Sequence, residues 1–130
     1  MKKPKITMEI IKEDVGYGAY TNIGNTSIIT MGETFEELQE MILEAVNLAF
    51  EEEGFVYTID EIKYQLDLDS FFEFYKVINA KALSHRIGMN QSLLAQYISG
   101  HKKPSPAQTK RILNGVQKLG RELAEIEFLT

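Results

Sequence analysis

Residues 79–105, with the sequence NAKALSHRIGMNQSLLAQYISGHKKPS, restrict the fold of this chain more than any other stretch. The apolar positions Ala82, Leu83 and Ile87 recur at helical spacing behind Asn79, whose short polar side chain suits a helix N-cap. Gly88 follows at once, and glycine accepts the left-handed backbone with which many helices end. Asn90 then caps a second helix, which runs to Ser99 and stops at Gly100. Leu94, Tyr97 and Ile98 form its apolar stripe, while Gln91, Ser92 and Gln96 fall on another face. Two short helices, a tight turn and a loop carrying Lys102 and Lys103 are therefore expected.

This order of parts (a first helix, Gly88-Met89, a capping Asn90, a polar-led helix, Gly100, Lys102-Lys103 and Pro104-Ser105) resembles the helix-turn-helix of the Xre/Cro repressor superfamily. In such motifs the second helix enters the DNA major groove and its N-terminal residues meet base edges. The resemblance implies that Asn90, Gln91, Ser92 and Gln96 sit where base and phosphate contacts lie. It also implies that the loop of Gly100, His101, Lys102, Lys103 and Pro104 lies on the phosphate backbone. The chemistry agrees, because glutamine bonds the N6/N7 edge of adenine bidentately and serine serves several bases. Leu93 stands at a mostly polar position, from which it either touches a thymine methyl or packs inward. No arginine lies on the reading face, so strong guanine readout is not expected. The competing reading is a helical hairpin with a solvated polar face, which gives the lysine pair no purpose.

Charge supports the first reading once the chain is divided. The whole chain of 130 residues carries a net charge of −5, which argues against nucleic acid. Residues 1–69 hold five lysines against 15 carboxylates, a net −10, whereas residues 70–130 hold nine basic and four acidic residues, a net +5. A basic segment is the electrostatic footprint of phosphate binding. An acidic segment suits either a basic partner or plain solubility. Cysteine is absent, which excludes disulfides and thiolate metal sites and fits a reducing cytoplasm. No apolar run approaches the roughly 18 residues of a membrane helix. The start, MKKPKITMEI, is basic but continues as an alternating strand rather than an apolar signal core.

The acidic segment reads as β-β-β-α-β. Ile6, Met8 and Ile10 alternate with Thr7 and Glu9 in a half-buried strand over 5–12. Turn signals at Asp14-Val15-Gly16 and Gly24-Asn25 separate strands over 17–23 and 26–31, an antiparallel meander. Thr34 and Glu37 have capping-box spacing, and Phe35, Leu38, Ile42, Ala45 and Ala49 form a stripe for one sheet face. Glu51, Glu52 and Glu53 oppose the helix dipole and are expected in water. Ile62, Tyr64, Leu66 and Leu68 alternate in a fourth strand.

Such a lobe, with its GYGAYTNIGN hairpin and the following LDLDSFFEFYKVINAKALSHRIGMNQSLLAQYISG run, resembles the HicB family of antitoxins. The resemblance implies an α+β chain with a degenerate ribonuclease H-like lobe over 1–69 and an all-α helix-turn-helix domain over 70–130. It implies an antitoxin that neutralises a small basic HicA-like ribonuclease toxin and represses its own operon by binding double-stranded operator DNA. The alternative is a free-standing repressor whose first lobe dimerises or senses a ligand.

In the second segment, Ser70 and Glu73 have capping-box spacing, and Phe71, Phe72, Phe74 and Tyr75 are expected in a core rather than as base-stacking platforms. Ser105-Pro106 starts a helix with Ile112, Leu113, Val116 and Leu119 as its buried stripe and Lys110, Arg111 and Lys118 in solvent. The tail over 123–129 sets Ala124, Ile126 and Phe128 against Leu123, Glu125 and Glu127; it reads as a terminal strand or a helical continuation, the strand being preferred, and it either pairs with its two-fold mate or packs on its own chain. A homodimer or higher even oligomer is expected, because one such motif makes too few base contacts. No catalytic constellation, cofactor or metal site is expected. The first 84 residues lack histidine, His85 and His101 have no metal-site spacing, and Glu9, Asp14, Asp60 and Asp67 scatter over different elements.

Overall fold

Alternation in the first segment produces a sheet with one dry face. Ile6, Met8 and Ile10 of β1 (Ile6–Lys12), Ala19 of β2 (Tyr17–Ile23) and Ile28 of β3 (Thr26–Gly32) all point inward and are buried. β1 and β2 pair antiparallel, as do β2 and β3, and β4 (Ile62–Leu66) lies parallel to β1 at the other edge. The order across the sheet is β3-β2-β1-β4. The connection into β4 is carried by α1 (Phe35–Ala49), since a parallel neighbour requires a crossover and not a hairpin. The computed structural model describes residues 2–130. Among them it shows an α+β protein with a four-stranded mixed sheet and five α-helices. No helix is long and apolar enough to cross a membrane.

α1 starts as its sequence requires, with the Thr34 hydroxyl accepting from the Glu37 N–H at 3.1 Å. It buries Leu38, Ile42 and Val46 against the sheet. The approach is close: a Cβ on Gly32 of β3 would stand 2.6 Å from the backbone nitrogen of Leu38. Phe50 and Tyr57 complete the core, and the Tyr57 N–H is held by Asn47 Oδ1 at 2.7 Å. Glu51, Glu52 and Glu53 are exposed in the turn that follows.

The chain divides into two compact units, Met1–Phe74 and Tyr75–Thr130. That division lies beyond the position 69 expected from charge and periodicity, because α2 (Leu68–Phe74) packs with the sheet. Phe74 stacks on Phe35 at 4.2 Å and meets the edge of Tyr17 at 4.4 Å. Glu73 accepts from the Tyr17 hydroxyl at 2.6 Å and pairs with Lys12 at 2.7 Å. The expected cap at Ser70 is corrected. Asp67 caps α2 by accepting from the Ser70 N–H at 2.8 Å, and Ser70 itself is buried inside the helix.

The second unit holds α3 (Ala80–Arg86), α4 (Gln91–Ser99) and α5 (Pro106–Ala124) around Leu83, Met89, Leu94 and Ile112, all buried. Asn79 caps α3, Asn90 caps α4 and Ser105 caps α5, each with its side-chain oxygen. A Cβ on Gly115 would fall 2.2 Å from Cγ2 of Ile87, so only glycine lets α5 lie this close to the end of α3. The terminal strand expected over 123–129 is absent. α5 continues to Ala124, and residues 126–130 have no regular structure. The expected buried stripe of α5 is also narrower: Ile112 is buried, whereas Leu113 is 50% exposed.

Candidate nucleic-acid interface

The turn between α3 and α4 is built from backbone geometry. Gly88 adopts φ 68°, a left-handed conformation that a side chain would strain. The Met89 N–H bonds back to the Ser84 carbonyl at 2.9 Å, and Met89 is buried beneath the turn. Asn90 is then extended, and its side-chain oxygen accepts from the N–H groups of Ser92 at 2.8 Å and Leu93 at 3.2 Å. That oxygen is therefore committed to the helix start. Only the amide NH₂ of Asn90 remains to donate to a phosphate.

α4 is two-sided. Leu94 is buried and Leu93, Tyr97 and Ile98 are half-buried, so one side faces the unit's core. Gln91, Ser92 and Gln96 are all exposed. At about 100° per residue they bound an arc of roughly 140° on the opposite side. Ala95 and Ser99, also exposed, lie within that arc and complete it. Neither was picked out from the sequence, although each follows Gln91 at one or two steps of four residues. Ala95 suits close approach, and its methyl is the kind that meets a thymine methyl. Leu93 lies at the packed border of the arc.

The basic loop is folded onto the end of this helix. Gly100 turns left-handed at φ 82°, and the Lys102 N–H donates to the Gln96 carbonyl at 3.2 Å. His101 Nδ1 lies 2.7 Å from the Ser99 hydroxyl. Lys102 and Lys103 are exposed and belong to no ion pair among the described residues. The arc and the loop thus form one polar surface that ends in two unpaired cations. With the division at Phe74, the second unit holds nine basic residues against three glutamates, a net +6, and the first holds five lysines against sixteen carboxylates, a net −11.

No family model, curated protein or solved structure matches the chain. Among the described residues no group of three His, Asp or Glu side chains is spaced to hold a metal ion.

Proposed function

We propose that α3 and α4 act as a helix-turn-helix of the Xre/Cro kind, with α4 in the major groove of double-stranded operator DNA. The observation that carries this reading is the exposed arc of Gln91, Ser92, Ala95, Gln96 and Ser99, running into the unpaired Lys102 and Lys103. Glutamine reads adenine edges, and the lysines and the Asn90 amide hold phosphate and set register. His101 sits in the same loop and contributes a phosphate contact. Leu93, half-buried, supports the helix and takes little part in readout.

The same proposal extends to the whole chain as a HicB-type antitoxin in the cytoplasm. Its first unit, a degenerate ribonuclease H-like lobe, covers a small basic HicA-like toxin. Its second unit represses the shared operon as a homodimer or higher even oligomer. The net −11 of the first unit supports a basic partner, because complementary charge accelerates association. Masking needs no catalytic step, and none is assigned to the chain. The test is co-expression of the tagged full chain with a short basic reading frame adjacent to its own gene. Recovery of a stoichiometric complex whose association slows with salt supports the antitoxin reading; absence of any such frame or complex contradicts it.

A free-standing repressor is the second reading, and one observation favours it. The outer sheet face exposes Ile11, Ile29 and Met31, with exposures of 52%, 72% and 58%. Ile11 and Met31 flank Gly18, beside which the Glu13 carboxylate lies, and Ile29 lies next to Tyr20. Exposed apolar residues of this kind suit a contact between two copies of the first unit.

A further inference from the structure

The two edges of the sheet differ. β4, at one edge, is five residues long and carries Lys63, a charge of the kind that keeps an edge from joining other strands. β3, at the other edge, is seven residues long, and its sequence, TSIITMG, holds neither a charge nor a proline. Its pairing with β2 runs without a bulge from Thr26 to Gly32. The Glu13 N–H bonds the Gly16 carbonyl at 3.0 Å, which fixes the alternation along the hairpin of β1 and β2. Gly18 and Tyr20 therefore direct their backbone groups to β1, and Ala19 and Thr21 direct theirs to β3. By the same alternation Ser27, Ile29 and Met31 aim N–H and C=O groups away from β2, across the open edge.

Apolar surface borders this edge on both sides. On the outer face Ile29 is 72% and Met31 58% exposed. On the inner face α1 lies over β3, closest at Gly32. One flank of α1 is turned toward β4: Phe35 meets the Tyr64 ring at 5.9 Å, and Asn47 holds the Tyr57 N–H. At about 100° per residue, the opposite flank carries Met41 and Leu48, then Glu37 and Glu44, and overhangs the β3 edge. Met41 is 38% and Leu48 70% exposed, and both glutamates are exposed, although Glu37 also accepts from the Glu33 N–H at 3.4 Å.

These carboxylates select the occupant. A second copy paired edge to edge through β3 would turn the Glu37 and Glu44 flanks of two α1 helices toward each other. A strand with lysine or arginine at alternate positions would instead lay aliphatic stems on Met41 and Leu48 and bring its cations to Glu37 and Glu44. We propose that the β3 edge takes an extended basic segment of another protein as a fifth strand, antiparallel to β3. Its apolar residues lie beside Ile29 and Met31, and its basic residues lie beneath the overhanging flank of α1. The inference names the mode of capture for the basic partner proposed above and rests on that reading.

The probe is a fluorescent, end-blocked peptide as long as β3, with valine and lysine alternating, titrated with the full-length chain and read by anisotropy. Saturable binding that weakens with salt is expected. In antiparallel addition the valines stand level with Ile29 and Met31 and bond the edge, while the lysine amides face solvent. N-methylation of the valine amides should therefore weaken binding by about tenfold or more, and N-methylation of the lysine amides should not. Ile29→Pro removes one edge N–H, leaves the bonds to β2 and should also weaken binding. Glu37→Gln with Glu44→Gln should make the salt dependence shallower. Circular dichroism checks each fold, and Ile29→Lys blunts the same edge where the proline variant does not fold. No binding by the natural chain, or equal binding of the two methylated peptides, would overturn the proposal. So would a natural chain that pairs with itself until Ile29→Lys separates it, which would give the edge to a second copy. A stoichiometric complex with the product of the adjacent reading frame that survives Ile29→Lys would keep the partner and overturn the edge. Capture of the peptide through its valine amides, with no such complex, would keep the edge and contradict the antitoxin reading.

Discussion

Arg111 Nη2 donates to the carbonyl oxygen of Gly88 at 2.6 Å, while its Nε donates to that of Ile87 at 3.1 Å. Both carbonyls belong to the end of α3, where a helix leaves its last oxygens without internal partners. The planar fork of arginine reaches two such oxygens at once, which the single ammonium of lysine does not. Arg111 is exposed, as expected, and its head group also braces the turn that precedes α4.

Replacing Arg111 by Met should therefore destabilise the second unit by about 1–2 kcal/mol, the worth of hydrogen bonds from a charged donor at a partly solvated site. Arg111→Lys should recover less than half of that. Urea unfolding of the two variants measures both. A lysine variant as stable as the natural chain would show that charge alone is what the turn requires.

Gly115→Ala tests the close approach of α5 to α3. Alanine is the better helix former by about 1 kcal/mol, so propensity alone predicts a gain. Contact wins here, because the new methyl would meet Ile87 Cγ2 at 2.2 Å. Overpacking of this kind costs about 1–3 kcal/mol, so a net loss is expected. In the Ile87→Ala background the same substitution should become neutral or stabilising, and the double-mutant cycle reads the coupling. Equal effects in both backgrounds would place the strain elsewhere.

Alkaline pH should loosen the first unit. The hydrogen bond to Glu73, then burial, hold the Tyr17 phenol above its ordinary range, and burial raises Tyr57 and Tyr64. Glu73 raises Lys12 as well, first by its hydrogen bond. Groups raised in the folded state contribute fully below their unfolded values. That contribution is lost as pH rises through the folded ones. Stability should therefore be flat to about pH 9 and fall above about pH 10. Tyr17→Phe, which cannot ionise, should show a smaller fall in urea midpoint across that window. An unchanged fall would remove Tyr17 from the explanation.

Local signals were legible where one residue decides a structure. The caps at Thr34, Asn79, Asn90 and Ser105 each start the helix their sequence announces. Alternation from Ile6 to Ile10 named the buried face of β1. Ambiguity arose where two patterns overlap. Leu68 continues the alternation of β4 yet belongs to α2, since Asp67 caps first. Ile126 and Phe128 alternate as a strand would, but nothing pairs with them. Long-range relations had no local signature. The reach of Arg111 to Gly88, the contact of Gly115 with Ile87 and the bond of Glu73 to Tyr17 depend on which elements meet. In the candidate site, the arc of Gln91, Ser92 and Gln96 followed from helical spacing. Ala95 and Ser99 did not, because small side chains carry no readout chemistry that marks them.

If the exposed arc of α4 reads base sequence, selection from a randomised double-stranded DNA pool will reveal it. The full-length natural chain should enrich a motif of two related half-sites with centres about 34 Å apart. Gln91→Ala and Gln96→Ala should each lose preference at one position per half-site, at a cost of about 1–3 kcal/mol on the best sequence. Lys102→Ala should keep the motif, weaken all sequences alike and make the salt dependence shallower by about one ion. A natural chain that enriches no motif, or glutamine variants that select the same motif with undiminished affinity, would show that this arc does not read sequence.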